Sequence, residues 1–244
     1  MIDLHCHILP ALDDGALDLE DAVGMALQAE ADGIHIVCAT PHLRHDHDVL
    51  ATELADRVAG LAAELERRCV PVRITTGAEV AETAVAGLGH DELRAATLGG
   101  GGRWILLEPA PGPLGDSLDA TVGALARQGF RSVVAHPERH AHEWLGDHLA
   151  RLVDQGALVQ VTAASLEAGQ AAPVMLDLAE RGLVHLVGSD AHSSRAGRPV
   201  ALSGALSALS RTARIGSHLD WVAETGPAAI LAGEDLRPPF AASA

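Results

Sequence analysis

Short apolar runs rich in Val, Ile and Leu recur along this chain with longer helical stretches between them, and that alternation constrains the fold more than any other feature. Seven runs read as strands: Ile2–His5, then residues 33–39, 70–78, 103–107, 131–135, 157–161 and 183–187. Val23, Ala26, Leu27 and Ala31 sit at helical spacing within residues 18–32, and Gly33 is the stop. Leu50, Leu54, Val58, Leu61 and Leu65 mark a longer amphipathic helix over residues 49–68, and further helices are read near 118–128 and 174–181. Strands alternating with helices argue for an α/β fold with a parallel sheet, most simply a closed or nearly closed βα barrel. Hydrophobic residues make up 48% of the 244, but aromatics only 2%, and tyrosine is absent, so the core is built from Ala, Val, Leu and Ile. No Pro-, Gly- or Ser-rich linker and no fixed-period repeat divides the sequence, so residues 1–244 are expected to form a single domain.

The polar residues fall where the strands end. His5 and His7 close the first run, His42 the second, Glu79 the third, Glu108 the fourth and His136 the fifth, while Asp190 and His192 follow the last. In a βα barrel the carboxyl ends of the strands surround one cleft. In an extended segment residues i and i+2 point the same way, so His5 and His7 can aim both imidazoles at one point. A mixed imidazole and carboxylate shell suits Mn, Fe, Zn or Co.

The charge balance excludes some partners. With 33 acidic residues against 17 basic ones, every basic residue an arginine, the formal net charge is −16. A nucleic-acid backbone is therefore not expected as a partner, since such binders carry a basic footprint. No apolar run reaches the length of a membrane span, and the first residues read as strand and ligands rather than as a signal peptide. Cys6, Cys38 and Cys69 form no Cys-x-x-Cys pair, and reduced thiols in the cytoplasm are the simplest reading.

Together, H-C-H-I-L-P at 5–10 with D-D-G at 13–15, T-P-H at 40–42, G-A-E at 77–79, L-E-P at 107–109, A-H-P-E-R at 135–139 and S-D-A-H at 189–192 carry a resemblance. In order and spacing they resemble the PHP (polymerase and histidinol phosphatase) superfamily, and within it the bacterial manganese-dependent protein-tyrosine phosphatases linked to capsule and exopolysaccharide control. The resemblance implies a distorted seven-stranded (β/α) barrel with three divalent metal ions in its carboxyl-end cleft, Mn first, with Fe, Zn, Co or Mg as alternatives. It implies that His5, His7, Glu79 and Asp190 hold one ion and that Glu79 bridges to a second, completed by Glu108 and His136. Asp14, His42 and His192 would hold the third. Arg139 and an arginine after S-D-A-H would grip the phosphate; of Arg195 and Arg198, the latter precedes Pro199 and is preferred.

The implied substrate is a phosphotyrosine protein, with a bacterial tyrosine kinase as partner. Adjacent cations sharing Glu79 would acidify a bridging water, whose hydroxide attacks phosphorus in line while the arginines neutralise oxygen charge. Two rival readings keep the same donors: a phosphatase of small phosphates such as histidinol phosphate or a nucleotide, and a non-catalytic metal-binding regulatory module.

Other features take plainer readings. Cys38 and Arg44 satisfy the Cys-x5-Arg spacing of cysteine phosphatases, but Pro41 removes a backbone N–H from the intervening loop, and an inert core thiol is expected. His140, His142 and His148 are expected at the surface, and His45 and His47 in an incidental or cleft-edge position. His35 and His185 are expected in the core or on the barrel exterior, the glycines at 99–102 in a turn, and Trp104, Trp144 and Trp221 in core or rim packing. Asp13 could replace Asp14 as a ligand, because the register within a turn is not set by spacing; the D-D-G resemblance favours Asp14.

Overall fold

The computed structural model describes residues 1–140 and 142–240. In chain order the main elements are β1 (Ile2–Cys6), α1 (Leu19–Ala31), β2 (Ile36–Ala39), β3 (His42–Leu43), α2 (Leu54–Arg67), β4 (Arg73–Thr76), β5 (Glu79–Ala81), α3 (His90–Ala95), β6 (Trp104–Glu108) and α4 (Asp116–Arg127). They continue with β7 (Arg131–Ala135), α5 (Leu145–Asp154), β8 (Leu158–Thr162), α6 (Ala163–Glu167), α7 (Ala172–Glu180), β9 (Leu186–Gly188), α8 (Ser203–Leu209) and α9 (Gly226–Leu231).

Two of the seven expected strands, the second (33–39) and the third (70–78), are each continued by a separate short strand beyond the expected end, and this corrects the strand count. The second becomes β2 and β3 because Thr40 and Pro41 interrupt it: Pro41 has no N–H for a ladder, and the Thr40 hydroxyl instead accepts the Cys6 N–H at 2.9 Å. The third becomes β4 and β5, with the Ala78 N–H diverted to the Ala96 carbonyl at 3.1 Å. The breaks match, so β1, β2 and β4 form one three-stranded sheet, while β3, β5, β6, β7, β8 and β9 form another of six. Every pairing is parallel. The end of β1 meets the segment after β9 through backbone bonds from His7 N–H to the Ala191 carbonyl (2.9 Å) and from Asp190 N–H to the His5 carbonyl (2.8 Å). Among the described residues the fold is mixed α/β, with nine strands in two parallel sheets where seven strands were expected.

Strand alternation builds two cores. Leu4, Cys38, Trp104, Leu106, Val133 and Leu186 belong to one buried cluster. The intervening Val37, Ile105, Leu107, Val134, Val159 and Val187 join a larger one with the helices. Burying each such aliphatic side chain contributes about 1.5–3 kcal/mol before chain entropy is counted. The Asp18 carboxylate caps α1 by accepting the Asp21 N–H at 2.8 Å, and α2 buries Leu54, Val58, Leu61 and Leu65 at the expected spacing. Leu27 and Leu50, expected in the apolar stripes, are instead exposed. With apolar floors on both faces of the sheets, the polar strand ends have one place to gather.

Candidate metal centre

His5 lies in β1 and His7 just past it, His42 and Glu79 begin β3 and β5, and Glu108 ends β6. His136 follows β7, and Asp190 and His192 follow β9. His5, His7 and Glu79 are fully buried, and His42, His136 and Asp190 nearly so. So many ionisable groups taken out of water need compensating charge.

The donors converge. His5 Nε2 and His7 Nε2 lie 3.3 Å apart, each 3.3 Å from Glu79 Oε2, and they stand 3.5 and 3.7 Å from Asp190 Oδ1. His42 Nδ1 is 3.1 Å from Glu79 Oε2 and 3.7 Å from Glu108 Oε2, while its Nε2 is 3.5 Å from Asp14 Oδ1. His192 Nε2 also stands 3.5 Å from Asp14 Oδ1. Three groups of donor atoms close enough to share an ion result: His7, Asp14, His42 and His192; His5, His7 and Asp190; and His42, Glu79 and Glu108. One neighbour differs from the expected partition: His42 occupies the place beside Glu108, whereas His136 is held to Glu79 Oε1 at 2.7 Å.

These groups fit divalent ions. Ligand atoms about 2.1 Å from a shared cation stand roughly 3.0–3.4 Å from one another in octahedral or tetrahedral geometry. Glu79 Oε2, Asp190 Oδ1, His42 Nδ1 and His136 Nδ1 are buried without a hydrogen-bond partner in the protein. Native proteins rarely leave such atoms unsatisfied. His136 and Asp190 also take left-handed backbone conformations (φ 34° and 50°), which non-glycine residues hold only under constraint.

Two residues outside the expected donor set, Asp13 (the alternative ligand to Asp14) and Gln160 (not among the expected site residues), orient the imidazoles. The Asp13 carboxylate accepts from His7 Nδ1 and from the His42 N–H, both at 2.8 Å, and Gln160 Oε1 lies 3.0 Å from His5 Nδ1. Each acceptor fixes the proton on Nδ1 and leaves Nε2 free to face the cluster. Asp13 is thus a support for His7, and the more exposed Asp14 is the one that reaches His42 and His192. Gln160 had a readable signal: it is the one polar side chain within the otherwise apolar run 157–161. Gly15 and Gly188 permit the close approach, since a Cβ at Gly15 would lie 2.2 Å from the His7 carbonyl oxygen and one at Gly188 2.7 Å from His5 Cβ.

The electrostatics favour positive charge in this cleft. Burial pushes the His7 pKa down, but the Asp13 and Glu79 carboxylates outweigh it and raise it to about 10. Burial likewise opposes ionisation of Glu79, yet His5 and His136 hold it well below the usual carboxylate range. Burial and the neighbouring Glu79 charge raise Glu108. Burial lowers His42 to about 4, despite Glu79 beside it.

Two arginines reach the cluster edge. Arg139 Nη2 donates to Asp190 Oδ2, and Arg198 Nη2 stands 3.0 Å from the same oxygen while its Nε donates to the Asp190 carbonyl at 2.9 Å. Arg195 turns away to Asp18, with Nη2 2.7 Å from Oδ1. A third cation near the cleft, Arg44, stands 3.4 Å from Glu108 Oε1.

Two histidines depart from their expected places, and two others keep to theirs. His140 and His148 are buried, not superficial: His140 Nδ1 donates to the Gly112 carbonyl at 2.5 Å, and His148 pairs with Asp119 at 2.6 Å. His35 is half-exposed and meets Glu224 at 3.1 Å, whereas His185 is in the core. Cys38 is a buried thiol that desolvation pushes up to about 11, in keeping with an inert role. Trp104 is buried with its Nε1–H donated to the Glu234 carbonyl at 2.8 Å, while Trp144 is largely exposed. No described helix is long and apolar enough to cross a membrane.

Known proteins share this architecture. The tyrosine-protein phosphatase YwqE of Bacillus subtilis is 35% identical over 204 residues, covering 79% of this chain and 78% of its own. The tyrosine-protein phosphatase CpsB of Streptococcus pneumoniae is 26% identical over 206 residues, covering 79% and 83%. A crystal structure from work on YwqE and CpsB, described as unique metal-dependent tyrosine phosphatases, superposes with a TM-score of 0.83 at 28% identity, covering 100% of this chain and 99% of that one. An N-isopropylammelide isopropylaminohydrolase from Burkholderia multivorans shares the fold alone, with a TM-score of 0.55 at 18% identity over 98% of this chain and 76% of that one. With residues 1–219 matching it, the chain belongs to the capsular polysaccharide synthesis CpsB/CapC family.

Proposed function

We propose that this protein is a metal-dependent phosphomonoesterase that removes phosphate from tyrosine in proteins. The observation that carries the reading is the convergence of His5, His7, His42, Glu79, Glu108 and Asp190, with Arg139 and Arg198 both reaching Asp190 at the edge. In this reading His5, His7, Glu79 and Asp190 hold one ion; Glu79, Glu108 and His136 hold a second; Asp14, His42 and His192 hold a third. Mn is the first choice for such nitrogen and oxygen donors, with Fe, Zn, Co and Mg as competitors. When bound, the ions supply Lewis acidity that offsets phosphate charge and acidifies water.

The chain's own residues do the rest. The Arg139 and Arg198 forks grip the non-bridging phosphoryl oxygens and fix the direction of the ester bond. Asp13 and Gln160 hold the His7 and His5 rings, so the donor set does not reorganise during reaction. The water oxygen bonds to phosphorus as the ester P–O bond breaks; the departing phenolate takes a proton, and tyrosine and inorganic phosphate are released. Phosphotyrosine protein is the substrate favoured by the relatives' activity, with a bacterial tyrosine kinase as partner and the cytoplasm as location. We read the two sheets as one distorted seven-stranded barrel, each broken strand counted once, and residues 1–244 as one domain.

The test is turnover of a phosphotyrosine peptide, beside phosphoserine peptide and histidinol phosphate, by protein loaded with Mn²⁺. Phosphotyrosine should be hydrolysed fastest, EDTA should abolish the activity, and iodoacetamide should leave it intact. Faster turnover of histidinol phosphate would reject the substrate, and activity that survives EDTA would reject the mechanism.

A further inference from the structure

A cleft of about 320 Å³ opens beside the donor cluster, and Arg139 and Arg198 both line it. Its remaining walls are Glu138, Thr162 at the end of β8, Ala164 and Ser165 in α6, and the turn that begins at Ala168. The Thr162 hydroxyl lies 3.4 Å from Asp190 Oδ2, so the cleft begins where the donor cluster stops.

Glu138, the acid of the H-P-E-R motif, has no part in gripping phosphate, yet its placement is specific. Its Oε1 accepts from the Thr162 N–H at 3.0 Å and from the Ser165 hydroxyl at 2.9 Å. That pins the start of α6 to the loop carrying Arg139, so the arginine and the opposite wall keep a fixed spacing.

We infer that this cleft is the leaving-group subsite and receives the aromatic ring of an aryl phosphate, an inference that rests on the phosphatase reading above. Arg139 and Arg198 stand between the donor cluster and this cleft, so a leaving group in line with water activated at the cluster departs on the cleft side. Guanidinium groups accept an aromatic ring against their faces, and both arginine side chains are partly exposed here (40% and 37%). Ala164, Ala168 and Gly169 are exposed and small, which leaves a shallow slot open to a flat ring. The volume is at the lower end of ligand pockets, which run from about 300 to 1,000 Å³. The short methylene of a phosphoserine would not reach these walls.

The experiment compares two non-hydrolysable probes, phenylphosphonate and methylphosphonate, by calorimetry on Mn²⁺-loaded protein. The wild type should bind phenylphosphonate about tenfold more tightly, the scale expected for partial burial of one ring. Ala164→Phe and Ala168→Phe, which fill the slot while both guanidinium groups remain, should bring that ratio close to one by weakening phenylphosphonate more than methylphosphonate. A wild-type ratio near one, or a tenfold ratio that survives both substitutions, overturns the subsite. Failure of the wild type to bind either phosphonate overturns the phosphatase reading and the subsite with it. Circular dichroism of both variants confirms that a lost ratio reflects the slot and not unfolding.

Discussion

The pairs His5/His7 and His45/His47 have the same His-x-His spacing, and the fold treats them in opposite ways. The first pair ends β1, is fully buried, and has an acceptor waiting at each Nδ1: Gln160 for His5 and Asp13 for His7. The second pair lies in the turn after β3, where His45 is exposed and His47 meets Arg44 at 3.2 Å and stacks on His42 with ring centres 5.6 Å apart. Spacing alone therefore does not make a ligand pair. An extended backbone that sends both rings to one side, and remote acceptors that choose the tautomer, separate the two.

The strongest way to break this contrast is to remove the carboxylate that both buried rings share. In the proposed arrangement Glu79→Ala loses the two ions it bridges together, and turnover falls to that of the metal-free protein; metal content by mass spectrometry beside phosphatase rate checks both. Full metal content in Glu79→Ala would end the bridging assignment. Next in size is Arg139→Ala, which should keep its metals and lose about 10²- to 10³-fold in kcat/KM, the scale for removing one donor to a transition-state oxygen. Arg195→Ala, whose guanidinium pairs with Asp18 on the exposed side, should stay near wild-type activity.

Much of this was legible in the sequence, and the shortfalls have physical causes. The positions of His5, His7, Glu108, His136, Asp190 and His192 at or just past strand ends follow from apolar periodicity, because a strand's hydrophobic run stops where its polar end begins, whereas His42 and Glu79, expected at strand ends, instead open β3 and β5. The second run reads as ending at Ala39, but the short strands β3 and β5 beyond the second and third runs are not legible, since they depend on a neighbour's hydroxyl and on diverted backbone bonds. The burial of His140 and His148 escaped too, because their partners, the Gly112 carbonyl and Asp119, come from another stretch of chain. Choosing Arg198 over Arg195 rested on a proline beside it; what separates them in space is the Asp18 carboxylate that takes Arg195 away.

A third environment sharpens the comparison. His185 is as buried as His7 but faces no carboxylate, and its Nδ1 accepts the Val159 N–H at 3.0 Å. Burial therefore lowers its pKa from 6.5 to about 4, where His7 is raised. Between those values the unfolded chain binds a proton that the folded chain refuses, so stability is full above pH 6.5 and falls as the pH drops toward 4. The shift corresponds to about 3 kcal/mol. His185→Asn keeps an acceptor for Val159 but does not titrate, so urea unfolding across this range should show the wild type losing about 3 kcal/mol more than the variant. Parallel curves would show that His185 is protonated inside the fold.

The smallest effects test the opening contrast at its root. If the acceptor behind the ring is what makes His7 a ligand, Asp13→Ala should weaken Mn²⁺ binding about 10- to 100-fold while leaving the first ring of donors in place, the usual scale for losing a carboxylate behind a ligating imidazole. His42 would feel the same change, because its N–H donates to the same Asp13 oxygen. His47→Ala and His45→Ala remove rings with no such support, and their Mn²⁺ affinity should stay within about threefold of wild type, as for surface substitutions in general. Titration of the apoproteins with Mn²⁺, followed by the metal's relaxation signal, ranks the variants without recourse to catalysis. Equal losses in Asp13→Ala and His47→Ala would mean that the outer pair also holds metal, and that an acceptor behind the ring is not what separates the two pairs.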